Sequence, residues 1–186
     1  MSRHNGKDAG NLGEARLGNV VADADRRRVT FERRLDASIE EVWAALTEPG
    51  QLRGWLAETP MFEARPGGRV VIRFDEDDVC EATVLRIEPP RLLELEWRFP
   101  GEPLSHLRFE LWAEPDSTLL VLDHRGLSTD DIASYGAGWH AHLDRLHTRF
   151  SGDVLDWDAR YSELLPRYQT LEPGTPASSP GAGEGR

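Results

Sequence analysis

Cysteine is nearly absent from this chain. Cys80 is the only cysteine in 186 residues, which excludes an intramolecular disulfide and a zinc site built from cysteines. An isolated cysteine in a strand usually packs as a small hydrophobic side chain, and we interpret Cys80 in this way. Because such cysteine usage is typical of a reducing compartment, we expect a cytoplasmic protein.

Positive charge is also scarce. The chain has 22 lysines and arginines against 33 acidic residues, and its formal net charge is −11. Proteins that bind a nucleic-acid backbone gain affinity from clustered basic side chains. The basic run here is short, Arg26 to Arg28, and we interpret it as a solvated entry to a strand. The sequence therefore predicts that nucleic acid is not a partner.

Long apolar runs are missing as well. No stretch is suited to spanning a membrane, and the N-terminus lacks the basic-then-apolar pattern of an export leader. We therefore expect neither a membrane partner nor export. Residues 1–13 and 172–186 are rich in small and polar side chains, which is typical of a flexible N-terminus and a disordered tail. A single domain is predicted over 14–171, with a lead-in over 14–27 and a core over 28–168.

Regular alternation and turn residues indicate a largely antiparallel sheet. Apolar and polar side chains alternate over residues 29–35, which predicts a strand with one buried face. Ser38 and Glu41 form a capping-box pattern that begins a helix, and Pro49 begins a second short one. Five clusters of turn residues between 66 and 117 then predict a meander of about six strands. We interpret the acidic run 75–78 as an exposed turn.

The last part of the chain predicts one long amphipathic helix. Its apolar face is formed by Ile132, Tyr135, Trp139, Leu143, Leu146 and Phe150. The opposite face carries His140, Asp144 and His147, which could suit zinc, but no fourth ligand is indicated. We interpret that face as solvated and predict no bound metal. The apolar face must lie against the sheet.

Several strings of residues resemble one family in the same order. They are the segments 31–35, 39–49, 66–68, 124–127 and 138–139, together with Leu143 and Leu146. The chain resembles the SRPBCC superfamily, in the group named after the activator of Hsp90 ATPase, over roughly 28–168. The resemblance implies an α+β helix-grip fold, similar to START and Bet v 1 proteins. In that fold a curved antiparallel sheet of six or seven strands grips a long C-terminal helix, and two short helices follow the first strand.

The resemblance also implies a deep apolar cavity between the sheet and the last helix. The candidate cavity residues are Trp55, Trp97, Leu120, Leu122, His124, Tyr135, Trp139, Leu143 and Leu146. Trp55, like Trp43, also fits a place in the core. His124 either presents a titratable group to the cavity or is satisfied by a backbone carbonyl. Arg73 and Glu94 are its candidate partners if the register places them inside.

Three functions fit this sequence. The first is a cytoplasmic protein that binds a small apolar or aromatic molecule, without a cofactor. The second is an enzyme similar to polyketide cyclases and aromatases, and the third is a chaperone accessory or another protein-interaction module with an unspecified partner. Because no acid–base pair is evident, the sequence favours binding over catalysis.

Overall fold

The computed structural model describes residues 16–171, which form one eight-stranded sheet and four helices. The strands are β1 (Asn19–Asp23), β2 (Arg26–Leu35), β3 (Glu58–Phe62), β4 (Arg69–Arg73), β5 (Val79–Glu88), β6 (Leu92–Arg98), β7 (Ser105–Ala113) and β8 (Thr118–Leu127). Their order in the sheet is β1-β2-β8-β7-β6-β5-β4-β3, and every neighbouring pair is antiparallel. The terminal segments predicted over 1–13 and 172–186 fall outside the described residues.

The helices follow the predicted order, with one addition. They are α1 (Ile39–Thr47), α2 (Pro49–Leu52), α3 (Ile132–Ser151) and α4 (Trp157–Gln169). The capping box is confirmed, because Ser38 Oγ accepts the Glu41 backbone N–H at 3.3 Å and the Glu41 carboxylate accepts the Ser38 N–H at 2.9 Å. The order of the strands and helices confirms the helix-grip fold. Helix α4 is an element that the sequence did not predict. No helix among the described residues is long and apolar enough to cross a membrane.

The sheet has eight strands, where the sequence predicted six or seven. The lead-in predicted over 14–27 contains β1, which pairs with β2. The other short edge strand, β3, contains Pro60 and pairs irregularly with β4. Both are only five residues long, and such short edge strands give too little alternation to be recognised from sequence.

Two predictions about turns and single residues are confirmed. The acidic run 75–78 is exposed between β4 and β5. Cys80 is fully buried in β5, where burial raises the pKa of its thiol to about 12. Such a thiol stays protonated at neutral pH and packs as a small apolar side chain.

The middle of the fold is a packed core. Leu120 and Leu122 of the central strand β8 are fully buried, as are Leu143 and Leu146 on α3. The void near the centre of the sheet, among Trp55 and its apolar neighbours, measures only about 10 Å³, about enough for one water molecule. The deep cavity that the resemblance implied is therefore not found at this position, because apolar side chains fill it.

Two of the three residues on the predicted solvated face of the long helix are buried, and the third, His147, is half-buried. His140 is 0% exposed and Asp144 is 1% exposed, because α4 packs on α3. Asp144 Oδ2 accepts a hydrogen bond from Arg160 Nε at 2.8 Å, and His140 Nδ1 lies 3.0 Å from the Tyr168 hydroxyl. The prediction of a solvent-facing surface was therefore wrong at His140 and Asp144, because α4 was not expected. Within residues 16–171, no group of three or more His, Cys, Asp or Glu is arranged to hold a metal ion.

Candidate functional site: an aromatic pocket at one end of the long helix

A pocket of about 330 Å³ opens beside the first half of α3. It is lined by Leu56, Phe74, Asp78, Trp97, Phe99, Ser134, Tyr135, Gly138, Trp139, His142, Trp157 and Tyr161. This volume lies near the lower end of the range for small-molecule sites, about 300–1,000 Å³. Other depressions on the surface are lined mainly by polar or exposed residues, which makes this one the candidate site.

Aromatic rings from four parts of the chain form the walls. Phe74, directly after β4, lies 6.3 Å from Trp97 on β6, and Trp97 lies 5.8 Å from Trp139 on α3, measured between ring centroids. On the other side, Trp157 and Tyr161 of α4 stack at 5.0 Å with an interplanar angle of 12°. The two rings stack because they are four residues apart on one helix face. The pocket can therefore hold a flat apolar molecule between aromatic surfaces.

His142 is a polar member of this wall. Its Nδ1 lies 3.0 Å from the Trp55 backbone carbonyl oxygen, and its ring lies 5.0 Å from that of Trp157. Burial lowers the pKa of His142 to about 4, with the charge of Arg145 adding to the effect, and the hydrogen bond to the carbonyl opposes it. The imidazole is therefore neutral at physiological pH.

A second polar pair lies at the edge of the pocket. The Tyr135 hydroxyl donates to Glu102 Oε2 at 2.5 Å. Burial raises the pKa of Glu102, while the hydrogen bond from Tyr135 opposes that rise. Burial and the neighbouring carboxylate also raise the pKa of Tyr135. The tyrosine therefore stays protonated and keeps its hydrogen directed to Glu102.

His124 is held by side chains behind the pocket. Its Nδ1 accepts the Trp139 indole N–H at 2.9 Å, so Nε2 carries the hydrogen and donates to Ser105 Oγ at 2.9 Å. His124 is fully buried, and this burial lowers its pKa to about 3. The expected backbone carbonyl partner was wrong, because two side chains satisfy the ring. The candidate partners Arg73 and Glu94 lie elsewhere, the first exposed and the second paired with Arg108.

The nine predicted cavity residues fall into two groups. Trp97, Tyr135 and Trp139 line the pocket, and whether they bind a ligand stays a prediction. Six lie in the packed core and do not line it: Trp55, Leu120, Leu122, His124, Leu143 and Leu146. Trp55 is satisfied there, because its indole N–H donates to the Ala45 carbonyl oxygen at 2.8 Å.

Sequence reasoning missed several pocket residues. His142 had a usable signal, since it follows Trp139 by three positions and Tyr135 by seven and therefore shares their helix face. Phe74 and Phe99 lie just outside strands, and Trp157 and Tyr161 lie on the helix that was not predicted. Phe74 and Phe99 continue the period of two that Ile72 and Trp97 follow, which was a usable signal, whereas Trp157 and Tyr161 share no period with the predicted pocket residues.

Comparison with known proteins identifies the family. The model of the family described as activator of Hsp90 ATPase homolog 1-like protein matches residues 36–151. The chain belongs to this family. No curated protein sequence matches it.

Solved structures that are similar to this chain include CalU16 from Micromonospora echinospora. It is 29% identical, with a TM-score of 0.69, and the match covers 83% of this chain and 94% of CalU16. DynU16, a protein in the dynemicin biosynthetic locus, is 24% identical with a TM-score of 0.62, and the match covers 69% of this chain but 48% of DynU16. The Aha1 dimer from Colwellia psychrerythraea is 18% identical with a TM-score of 0.60, covering 66% of this chain and 95% of that protein. The last two likenesses concern the fold alone.

Proposed function

We propose that this member of the activator of Hsp90 ATPase homolog 1-like family binds a small aromatic molecule in the pocket beside α3. The observation that carries the proposal is a space of about 330 Å³ walled by aromatic rings beside the first half of α3, in an otherwise packed fold. Sites for small molecules are typically concave and mostly apolar, with a few polar groups. We also propose that the protein is cytoplasmic, as its cysteine usage indicates.

Gly138 supports a role for this space. It lies within α3, where glycine is less favourable than alanine by roughly 0.5–1 kcal/mol. A Cβ atom built on Gly138 would meet no atom within 4 Å, whereas one on Gly136 would lie 2.4 Å from the Tyr168 ring. Packing therefore accounts for Gly136 but not for Gly138. A glycine at position 138 leaves open the volume that a ligand would use.

Binding also fits the chemistry of the pocket better than catalysis does. A general base works best when its pKa lies near the operating pH, and the pKa of His142 is about 4. The Tyr135 hydroxyl already donates its hydrogen to Glu102. These two groups are suited to orienting a ligand.

The test is equilibrium dialysis of the protein against a panel of neutral aromatic compounds of one to three rings, including 2-naphthol. We expect saturable binding of one equivalent to the wild type. Gly138→Leu should abolish it, because the new side chain would occupy the pocket. Gly138→Ala is expected to fold at least as well as the wild type and to bind more weakly.

Gly50→Leu is the matched control. Gly50 also has no atom within 4 Å of a built Cβ, but it lies on α2 and does not line the pocket. This variant should bind as the wild type does. The proposal is wrong if no member of the panel binds the wild type at concentrations up to 1 mM, or if Gly138→Leu folds and binds unchanged.

A further inference from the structure

We propose that His142 selects the ligand by accepting a hydrogen bond through Nε2, so that the pocket takes aromatic molecules that carry a hydroxyl or N–H donor. This inference rests on the proposed binding function and names the chemical class of its ligand. It assigns to His142 a role that no motif in the sequence indicated.

The tautomer of His142 follows from its backbone contact. The Trp55 carbonyl oxygen can only accept a hydrogen bond, so Nδ1, which lies 3.0 Å away, carries the hydrogen. In a neutral imidazole the other nitrogen then has a lone pair and no hydrogen. No described residue donates a hydrogen bond to Nε2, although the side chain lines the pocket. Nε2 is therefore an acceptor that remains available to a ligand.

The other polar groups at the pocket have the same character. Because the Tyr135 hydroxyl donates to Glu102, its oxygen acts as an acceptor toward other groups, the Trp97 indole N–H among them. Asp78 adds a carboxylate to the lining. A ligand with hydrogen-bond donors complements these groups, whereas one with only acceptors would leave them unpaired.

The donors in the wall do not compete with this assignment. Trp157 Nε1 has no hydrogen-bond partner among the described residues, and the Trp97 indole N–H is directed to the Tyr135 hydroxyl, where it lowers the pKa of that group; both nitrogen atoms are buried within the protein. A molecule in the pocket does not reach them without movement of the rings. The exposed Ser134 hydroxyl in the lining can donate or accept and therefore favours neither kind of ligand. The remaining accessible polar groups are acceptors, which favours donors on the ligand.

The test compares two probes of the same shape, 2-naphthol and 2-methylnaphthalene, which differ by a hydroxyl in place of a methyl group. The measured quantity is the ratio of their dissociation constants, determined by equilibrium dialysis at pH 7.5. His142→Asn is the informative variant, because the asparagine amide N–H can replace the Nδ1–H donor to the Trp55 carbonyl while Nε2 is lost. A hydrogen bond contributes about 1 kcal/mol, so we expect the preference for 2-naphthol to fall about five- to tenfold in this variant.

The outcomes separate this inference from the proposed function. If both probes bind the wild type and His142→Asn leaves their ratio unchanged, the role of His142 is wrong while the binding function stands. If neither these probes nor the rest of the panel binds the wild type, the binding function itself fails. If His142→Asn does not fold, the ¹⁵N chemical shift of His142 Nε2 in the wild type tests the same hydrogen bond. It should move upfield on saturation with 2-naphthol and not with 2-methylnaphthalene, and equal shifts would overturn the inference.

Discussion

Replacement of Asp144 tests the unexpected packing of α4 on α3. Asp144 is 1% exposed, and its Oδ2 accepts a hydrogen bond from Arg160 Nε at 2.8 Å. Burial raises the pKa of Asp144, while Arg160 and the more distant Arg33 favour the carboxylate. Asp144→Ala would remove the buried negative charge that both arginines face. Its effect should therefore be large, whereas a residue on a solvated helix face would give almost none.

The magnitude follows from the burial of the pair. Removing one partner of a buried ion pair costs about 3–5 kcal/mol. We expect a value near the lower limit, about 3 kcal/mol, because Arg160 also bonds to Glu163, whose side chain is 57% exposed. For a domain of this size, 1 kcal/mol lowers the melting temperature by about 2–4 °C. Asp144→Ala should therefore melt about 6–12 °C below the wild type.

Thermal melts followed by circular dichroism at pH 7 measure this effect. Asp123→Ala is the control, because Asp123 pairs with Arg28, whose side chain is 45% exposed, and a pair open to solvent contributes at most about 1 kcal/mol. Asp144→Asn, which keeps the shape of the side chain, should fall between the wild type and Asp144→Ala. If Asp144→Ala melts within about 2 °C of Asp123→Ala, the buried pair does not hold α4 as described.

Three further expectations concern protonation, glycine positions and the thiol. The folded protein keeps His142 neutral down to a pKa of about 4, whereas the unfolded chain binds a proton below about 6.5, so stability is lost as pH falls through this window. Urea unfolding measures how far the free energy of unfolding falls between pH 8 and pH 5. In His142→Asn this fall should be smaller than in the wild type by on the order of 2 kcal/mol, and an equal fall would contradict the low pKa of His142. Gly136→Ala should lower the melting temperature through its clash with Tyr168, whereas Gly138→Ala should raise the free energy of unfolding by about 0.5–1 kcal/mol, and shifts of the same sign would refute this contrast. Cys80 should react with a thiol reagent only as fast as the protein opens, and rapid labelling of the native state would show that it is accessible.

The sequence predicted the fold well because its main signals are periodic. The alternation over 29–35, the capping box at Ser38 and the stripe on α3 each depend on neighbours in the chain, and each is confirmed. The missing element was α4, whose sequence includes Pro166 and many charged side chains. Its absence from the prediction made the face with Asp144 look exposed, since burial of a helix face depends on a distant partner.

The candidate site could be predicted only in part. Trp97, Tyr135 and Trp139 follow from the faces of one strand and one helix, which local patterns reveal. The position of the pocket could not be derived in this way, because large side chains fill the centre of the fold and the space lies beside the first half of α3. Phe74 and Trp157 reach it from a turn and from α4, and their meeting depends on tertiary packing.

The most direct test of the central claim is the response of the six tryptophan indole N–H signals in a ¹H–¹⁵N spectrum to 2-naphthol. Trp97, Trp139 and Trp157 line the pocket, so their signals should shift together and saturate with one binding constant. Trp43, Trp55 and Trp112 do not line the pocket, so their signals should stay in place. Gly138→Leu should suppress the shifts of the other three signals. Shifts confined to the exposed Trp112, or no shift at saturating 2-naphthol, would contradict an aromatic-ligand site beside α3.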